Sequence, residues 1–136
     1  MTEVLHIKSE DMRFARMHPN AGGYASIARL INPNNSQTIG AGIGTYDGCS
    51  IEWTMGVDEV VVVLDGLLRV RTGEGYNKVI EAKPGDVVWM PKGTKMKYEG
   101  DKAKMFYCLY PSSVNVPQPL EQVFSQGPHP VGTPEC

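Results

Sequence analysis

The sequence predicts an all-β protein, a single domain of short strands arranged as a sandwich or closed barrel. Three observations predict it. Runs rich in β-branched and aromatic residues recur at even spacing, with turn residues between them. No sustained 3.6-residue apolar period is present. The length of 136 residues suits one domain and can bury a core without disulfide or metal staples.

In chain order, residues 9–17 come nearest to a helical period and predict a short helix. Strands are then expected at 24–31, 38–46, 49–54, 59–64, 67–72, 76–82, 86–90, 94–99 and 103–110. The separators carry the reason for each break. Asn32-Pro33-Asn34-Asn35, Asp47-Gly48, Gly73-Glu74-Gly75, Lys83-Pro84-Gly85-Asp86 and Pro91-Lys92-Gly93 supply fixed-φ prolines, positive-φ glycines or self-bonding Asx side chains. Asp65-Gly66 between two apolar runs predicts a tight hairpin. Gly40-Ala41-Gly42-Ile43-Gly44 lacks the lysine and the strand-to-helix context of a phosphate-binding loop. It reads as a strand of small residues that lets backbones approach closely. The barrel core is expected at about 24–112. Residues 113–136 hold most of the later prolines and cannot form a central strand; they read as an extended C-terminal arm that packs on the barrel or on a partner.

Composition excludes several classes of function. A net charge of −2 and a pI near 5.9 lack the basic footprint of a nucleic-acid binder. No apolar run approaches the length of a membrane span, and the first residues lack the charged and apolar regions of a secretory signal. Cys49, Cys108 and Cys136 are odd in number and widely spaced, so they read as reduced thiols of a cytoplasmic protein.

The spacing Glu59-x6-Gly66, followed by Gly85-x5-Pro91-x-Gly93, is similar to the two cupin motifs, G-x5-H-x-H-x3-4-E-x6-G and G-x5-P-x-G-x2-H-x3-N. The histidines are replaced. Four intervening residues place Glu52 and Thr54 in the H-x-H positions, and three place Trp53 and Met55 there; Met96 stands at the histidine of the second motif. The stretch 46–54, with Asp58-Glu59, Ala82-Lys83-Pro84-Gly85-Asp86-Val87, Pro91-Lys92-Gly93 and the segment from Phe106 to Pro111, resembles the cupin domain of the EutQ family of ethanolamine-utilisation proteins. That resemblance covers about residues 40–112. It implies a single cupin (RmlC-like) jelly-roll barrel with extended N- and C-terminal arms, spanning 1–136. It also implies a family without the histidine triad, linked to ethanolamine and acetate metabolism in bacterial microcompartments. Many members carry a long additional N-terminal region. Here about forty residues precede the barrel, so the acetate kinase activity attributed to the family is not expected to carry over. By analogy with other small barrels, a homodimer is expected.

Glu59 is the leading candidate for chemistry. Strand alternation puts Glu59, Val61 and Val63 on one face, and the resemblance places that face inside the barrel. A carboxyl against an apolar interior has a raised pKa unless it is paired, which suits a general acid or base. The alternative is a structural glutamate bonded to a tyrosine or lysine. Glu52 and Thr54 share a parity and are expected to complete an oxygen-lined patch with Glu59. Two carboxylates make a poor cation cage without added waters, and zinc, iron or nickel would want imidazole. No metal cofactor is therefore expected; if one binds, Glu59 and Glu52 would hold it. Tyr46, Trp53, Tyr98 and Tyr110 are expected to line the mouth of a small-molecule pocket, with Met96 as an apolar wall. His6, His18 and His129 are scattered outside the barrel strands.

Three functions fit this reading. The chain can bind a small polar metabolite in the barrel. It can be a metal-independent isomerase, epimerase or lyase with Glu59 as acid or base. It can also be a non-catalytic interaction protein that uses its proline-rich arm.

Overall fold

The computed structural model describes residues 3–112. After a 3-10 turn at Ser9–Asp11 come eight strands: β1 (Ala15–Met17), β2 (Tyr24–Ile31), β3 (Gly40–Asp47), β4 (Ser50–Thr54), β5 (Asp58–Thr72), β6 (Lys78–Ala82), β7 (Val87–Met90) and β8 (Lys95–Tyr110). The helix expected at 9–17 is replaced by that turn and by β1, which pairs with β2. The proline-rich arm lies outside the described residues.

The backbone of the fold is one long antiparallel ribbon. β5 and β8 pair from Asp58↔Tyr110 to Arg71↔Lys97. At one end β7 adds to β5 while β3, β2 and β1 add in turn to β8. At the other end β6 adds to β5 and β4 adds to β8. The ribbon cannot be straight. Glu59 pairs with Leu109 and Val70 pairs with Tyr98, so Glu59 and Tyr98 sit on rungs eleven residues apart, about 36 Å of extended strand. Yet the Tyr98 hydroxyl is 3.0 Å from Glu59 Oε1. The ribbon therefore folds over and its two ends face each other, which is the double-sheet jelly roll of a cupin.

The fold-over explains one correction. Asp65-Gly66 is not a hairpin, since β5 runs through it. Gly66 takes φ of 72° and lies at a register irregularity between Val63 and Leu67. A Cβ there would strike the Lys102 carbonyl of the facing strand. The turn chemistry was legible, but it bends a continuing strand as a bulge rather than reversing it. Lys102 answers it on β8 with φ of 49°, its N–H donating to Asp47 at 3.0 Å. Segments 94–99 and 103–110 are accordingly one strand.

Alternation fills the space between the sheets. Val61, Val63, Leu68 and Val70 from β5 meet Met96, Tyr98, Met105 and Tyr107 from β8 in a single apolar cluster. Gly42 and Gly44 of β3 leave room for this packing. A Cβ on Gly42 would collide with the Ala28 carbonyl and approach the Tyr107 hydroxyl to 2.9 Å, and one on Gly44 would come 3.2 Å from Met105 Cε. The outer face of β4, β8 and β5 carries ion pairs instead. Arg69 binds Asp101 through two hydrogen bonds of 2.9 Å, and Arg71 Nε and Ser50 Oγ each donate to Glu99 at 2.8 Å.

Candidate functional site

Glu59 is the one charged side chain in the described core, with 0% exposure. It sits near the start of β5, hydrogen-bonded to β7 on one side and β8 on the other, so its backbone is held on both edges. Tyr98 reaches it from the facing sheet and donates to Oε1 at 3.0 Å, with Met90 Sδ 3.5 Å from the same hydroxyl. The carboxyl is the stronger acceptor and takes the proton. Tyr46 stacks on Tyr98 with ring centroids 5.0 Å apart and planes within 8°. The stack fixes the phenol, and the phenol fixes the carboxyl. Met90, Met96, Met105 and Met55 are buried in the same core. Glu59 and Tyr98 thus form a polar couple among buried thioethers and rings.

The placement of the other candidates sorts cleanly. Tyr46, Tyr98 and Met96 lie in the interior with Glu59, and Trp53 is partly buried against the core. The two tyrosines are fully buried rather than at a pocket mouth. Glu52 and Thr54 are exposed on the opposite face of β4 and do not share a patch with Glu59. Parity counts only along one continuous strand, and the turn at 55–57 separates β4 from β5. Ile51, Trp53 and Met55 take the inward positions, so the three-residue spacing is the one that applies. Glu52 instead accepts a hydrogen bond of 2.7 Å from the Tyr76 hydroxyl, with the Lys97 ammonium 4.7 Å from the same ring. That bond raises the Tyr76 pKa. Tyr110 is exposed on the outer side of β8, opposite Asp58.

His18 is the polar residue that the spacing did not single out. It follows β1 with φ of 49°, and its ring meets Trp53 edge-on at 6.4 Å. Burial pushes its pKa below the usual 6.5, and the positive charge of Arg29 pushes it the same way. The fold thus brings one histidine against Trp53, the indole at an inward motif position. Cys108, on β8 opposite Val60, has its thiol pKa raised by burial and by the charge of Glu59.

The usual cupin metal does not fit this donor set. The inward motif positions hold an indole, two thioethers and one carboxyl, where a borderline metal wants imidazole. Among the described residues no group of three or more His, Cys, Asp or Glu is placed to hold a metal ion.

The same folded ribbon recurs in known structures. A predicted oxalate decarboxylase of Thermotoga maritima superposes with a TM-score of 0.63 over 80% of this chain and all of its own, at 18% identity, which shows the fold alone. The crystal structure of the EutQ protein of Salmonella typhimurium LT2 gives a TM-score of 0.71 at 25% identity, covering 79% of this chain and 86% of that one. In sequence, the acetate kinase EutQ of Escherichia coli K12 is 27% identical over 108 residues, 79% of this chain and 45% of that protein. The Salmonella typhimurium protein of the same name is 28% identical over 79% of this chain and 46% of its own length. The chain thus spans under half the length of these curated relatives. The family model for ethanolamine utilisation protein EutQ matches residues 3–115, and with a match over most of its length, the chain belongs to the EutQ family.

Proposed function

We propose that this EutQ-family cupin binds a small polar metabolite inside the barrel, with Glu59 and Tyr98 as its polar anchors. One observation carries the reading. A fully buried carboxyl accepts a hydrogen bond from a fully buried tyrosine hydroxyl inside the barrel. Burying a carboxyl costs free energy that an apolar side chain of similar size would not, so its place inside the barrel supports a role in binding. The family and its relatives' name, acetate kinase, make small carboxylates, acyl phosphates and ethanolamine the first compounds to try, and the cytosol the expected compartment. Phosphoryl transfer itself stands apart from this reading, because the glycine-rich segment 40–44 lies within β3 rather than at the start of a helix.

A second reading rests on the same contact. Tyr98 and Glu59 form a proton couple, suited to metal-independent acid–base chemistry in an isomerase, epimerase or lyase.

The test is the melting temperature of the full chain with acetate, acetyl phosphate, ethanolamine and a wider metabolite set. A compound at 100 times its Kd is expected to raise it by about 5–10 °C, and Glu59→Gln is expected to abolish that rise while leaving the apo melting temperature near wild type. A glutamate that serves packing alone would give no rise with any compound.

A further inference from the structure

Strand β2 carries an arginine on the inner face of the barrel. Ala25 and Ile27 of β2 belong to the apolar core, and Arg29 has their parity, so it stands on the same face. The bulge that shifts the β2–β3 register comes only after Arg29. Arg29 pairs with Gly42 of β3, and Gly42 pairs in turn with Tyr107 of β8. The middle position of this rung has no side chain. A Cβ on Gly42 would lie 2.9 Å from the Tyr107 hydroxyl, so that hydroxyl hangs over the glycine. Arg29, its cross-strand neighbour, starts about 5 Å away on the same face. Val61 continues the rung on β5, and Glu59 lies two residues along that strand on the same side. Arg29 and Glu59 therefore enter one interior on neighbouring rungs, three strand spacings of about 4.8 Å apart. A second observation places the guanidinium near the entrance. The positive charge of Arg29 adds to the burial that lowers the His18 pKa, and His18 packs on Trp53. Arg29, His18 and Trp53 are each only partly buried, whereas Glu59, Tyr98 and Tyr107 are buried. The interior thus runs from a partly open cationic end to a closed acidic floor.

We propose that Arg29 is a binding residue of this interior, and that the ligand is a small carboxylate which also carries a hydroxyl or ammonium group. The proposal rests on the reading that the interior takes up a metabolite, and it names the class. Arg29 takes the carboxylate end, because the guanidinium fork matches a carboxylate with two parallel hydrogen bonds. The Tyr107 hydroxyl beside it is a further donor. Glu59 takes the other end. An ionised carboxyl offers only acceptors, so it selects a hydroxyl or ammonium donor. Its charge acts within the fold, where it adds to the burial that raises the Cys108 pKa. One positive and one negative side chain match a ligand with a single carboxylate. A phosphate ester, with its second negative charge at neutral pH, would meet the Glu59 carboxylate with one arginine to offset it.

Isothermal titration of the full chain with two- to four-carbon hydroxy and amino carboxylates, glycolate and glycine the simplest, tests the proposal. Acetate, which lacks the donor, and ethanolamine, which lacks the carboxylate, are the controls. At least one acid of the series is expected to bind about 10-fold or more tightly than either control, and its uncharged methyl ester about 10-fold or more weakly than the acid. Arg29→Gln is expected to weaken that acid by about 10- to 100-fold and to leave ethanolamine within about threefold, with circular dichroism to verify the fold. Arg29→Lys keeps the charge without the fork and is expected to fall between wild type and Arg29→Gln. The ester comparison uses the wild-type chain, so it decides even where Arg29→Gln does not fold. An acid that binds Arg29→Gln as tightly as wild type, or an ester that binds as tightly as its acid, would overturn the role of Arg29 and leave the interior a binding site. Binding of ethanolamine alone, lost in Glu59→Gln, would do the same. No binding by this series or by the wider metabolite set would overturn both.

Discussion

At the scale of single residues, the decisive contact is the hydrogen bond from Tyr98 to Glu59. Tyr98→Phe removes a donor from a buried carboxyl and is expected to cost about 1–3 kcal/mol, read by denaturant unfolding. Glu59→Gln keeps an acceptor of the same shape and is expected to stay within about 1 kcal/mol of wild type. The face that Glu59 shares with Val61 and Val63 was legible from alternation within one strand, and the family resemblance turned that face inward. The face of Glu52 was not legible, because counting across a turn loses the parity. Tyr98 was named as a pocket tyrosine, but its partner was hidden, since only the folding of the ribbon brings residues 59 and 98 together. His18 was beyond reach for the same reason. Its pKa is depressed by burial and by Arg29, so the unfolded chain binds a proton that the native ring resists. Stability is then expected to fall as pH drops from about 6.5 through the native pKa. An NMR titration of His18 should give a value below 6.5, and His18→Gln should remove that part of the slope.

At the scale of elements, composition told where backbone had to bend but not which way. Asp65-Gly66 carries the residues of a two-residue hairpin, yet β5 continues through it, because β8 keeps pairing on both sides. Pairing partners distant in sequence decide between a turn and a bulge, and local chemistry does not record them. The positive φ was nonetheless a correct expectation. Gly66→Ala places a Cβ against the Lys102 carbonyl in a left-handed conformation. It is expected to destabilise by about 2 kcal/mol or more, seen as a lower denaturation midpoint with an unchanged slope. Gly42 shows the other use of glycine: β3 was read as a strand of close approach, and the Ala28 carbonyl fills the space a side chain would need.

At the scale of the whole molecule, the fold was the most legible property. Even strand spacing, turn chemistry and the spacing of Glu59, Gly66, Gly85 and Gly93 all led to the jelly roll, and the family match over residues 3–115 agrees. The site was half legible. The retained glutamate, the lost histidines and Met96 could be read from spacing, whereas spacing left open whether Glu52 and Thr54 or Trp53 and Met55 fill the other two positions. The set is Trp53, Met55 and Met96 around Glu59, and not the carboxylate pair with Glu52. Function then turns on whether the polar couple serves a ligand. The most direct measurement is a crystal structure of the full chain with the compound that most raises its melting temperature. The account predicts ligand density between the two sheets, with a polar atom about 2.6–3.2 Å from Glu59 or the Tyr98 hydroxyl. Density confined to the outer surface, or a metal ion ligated by Glu59, would contradict it.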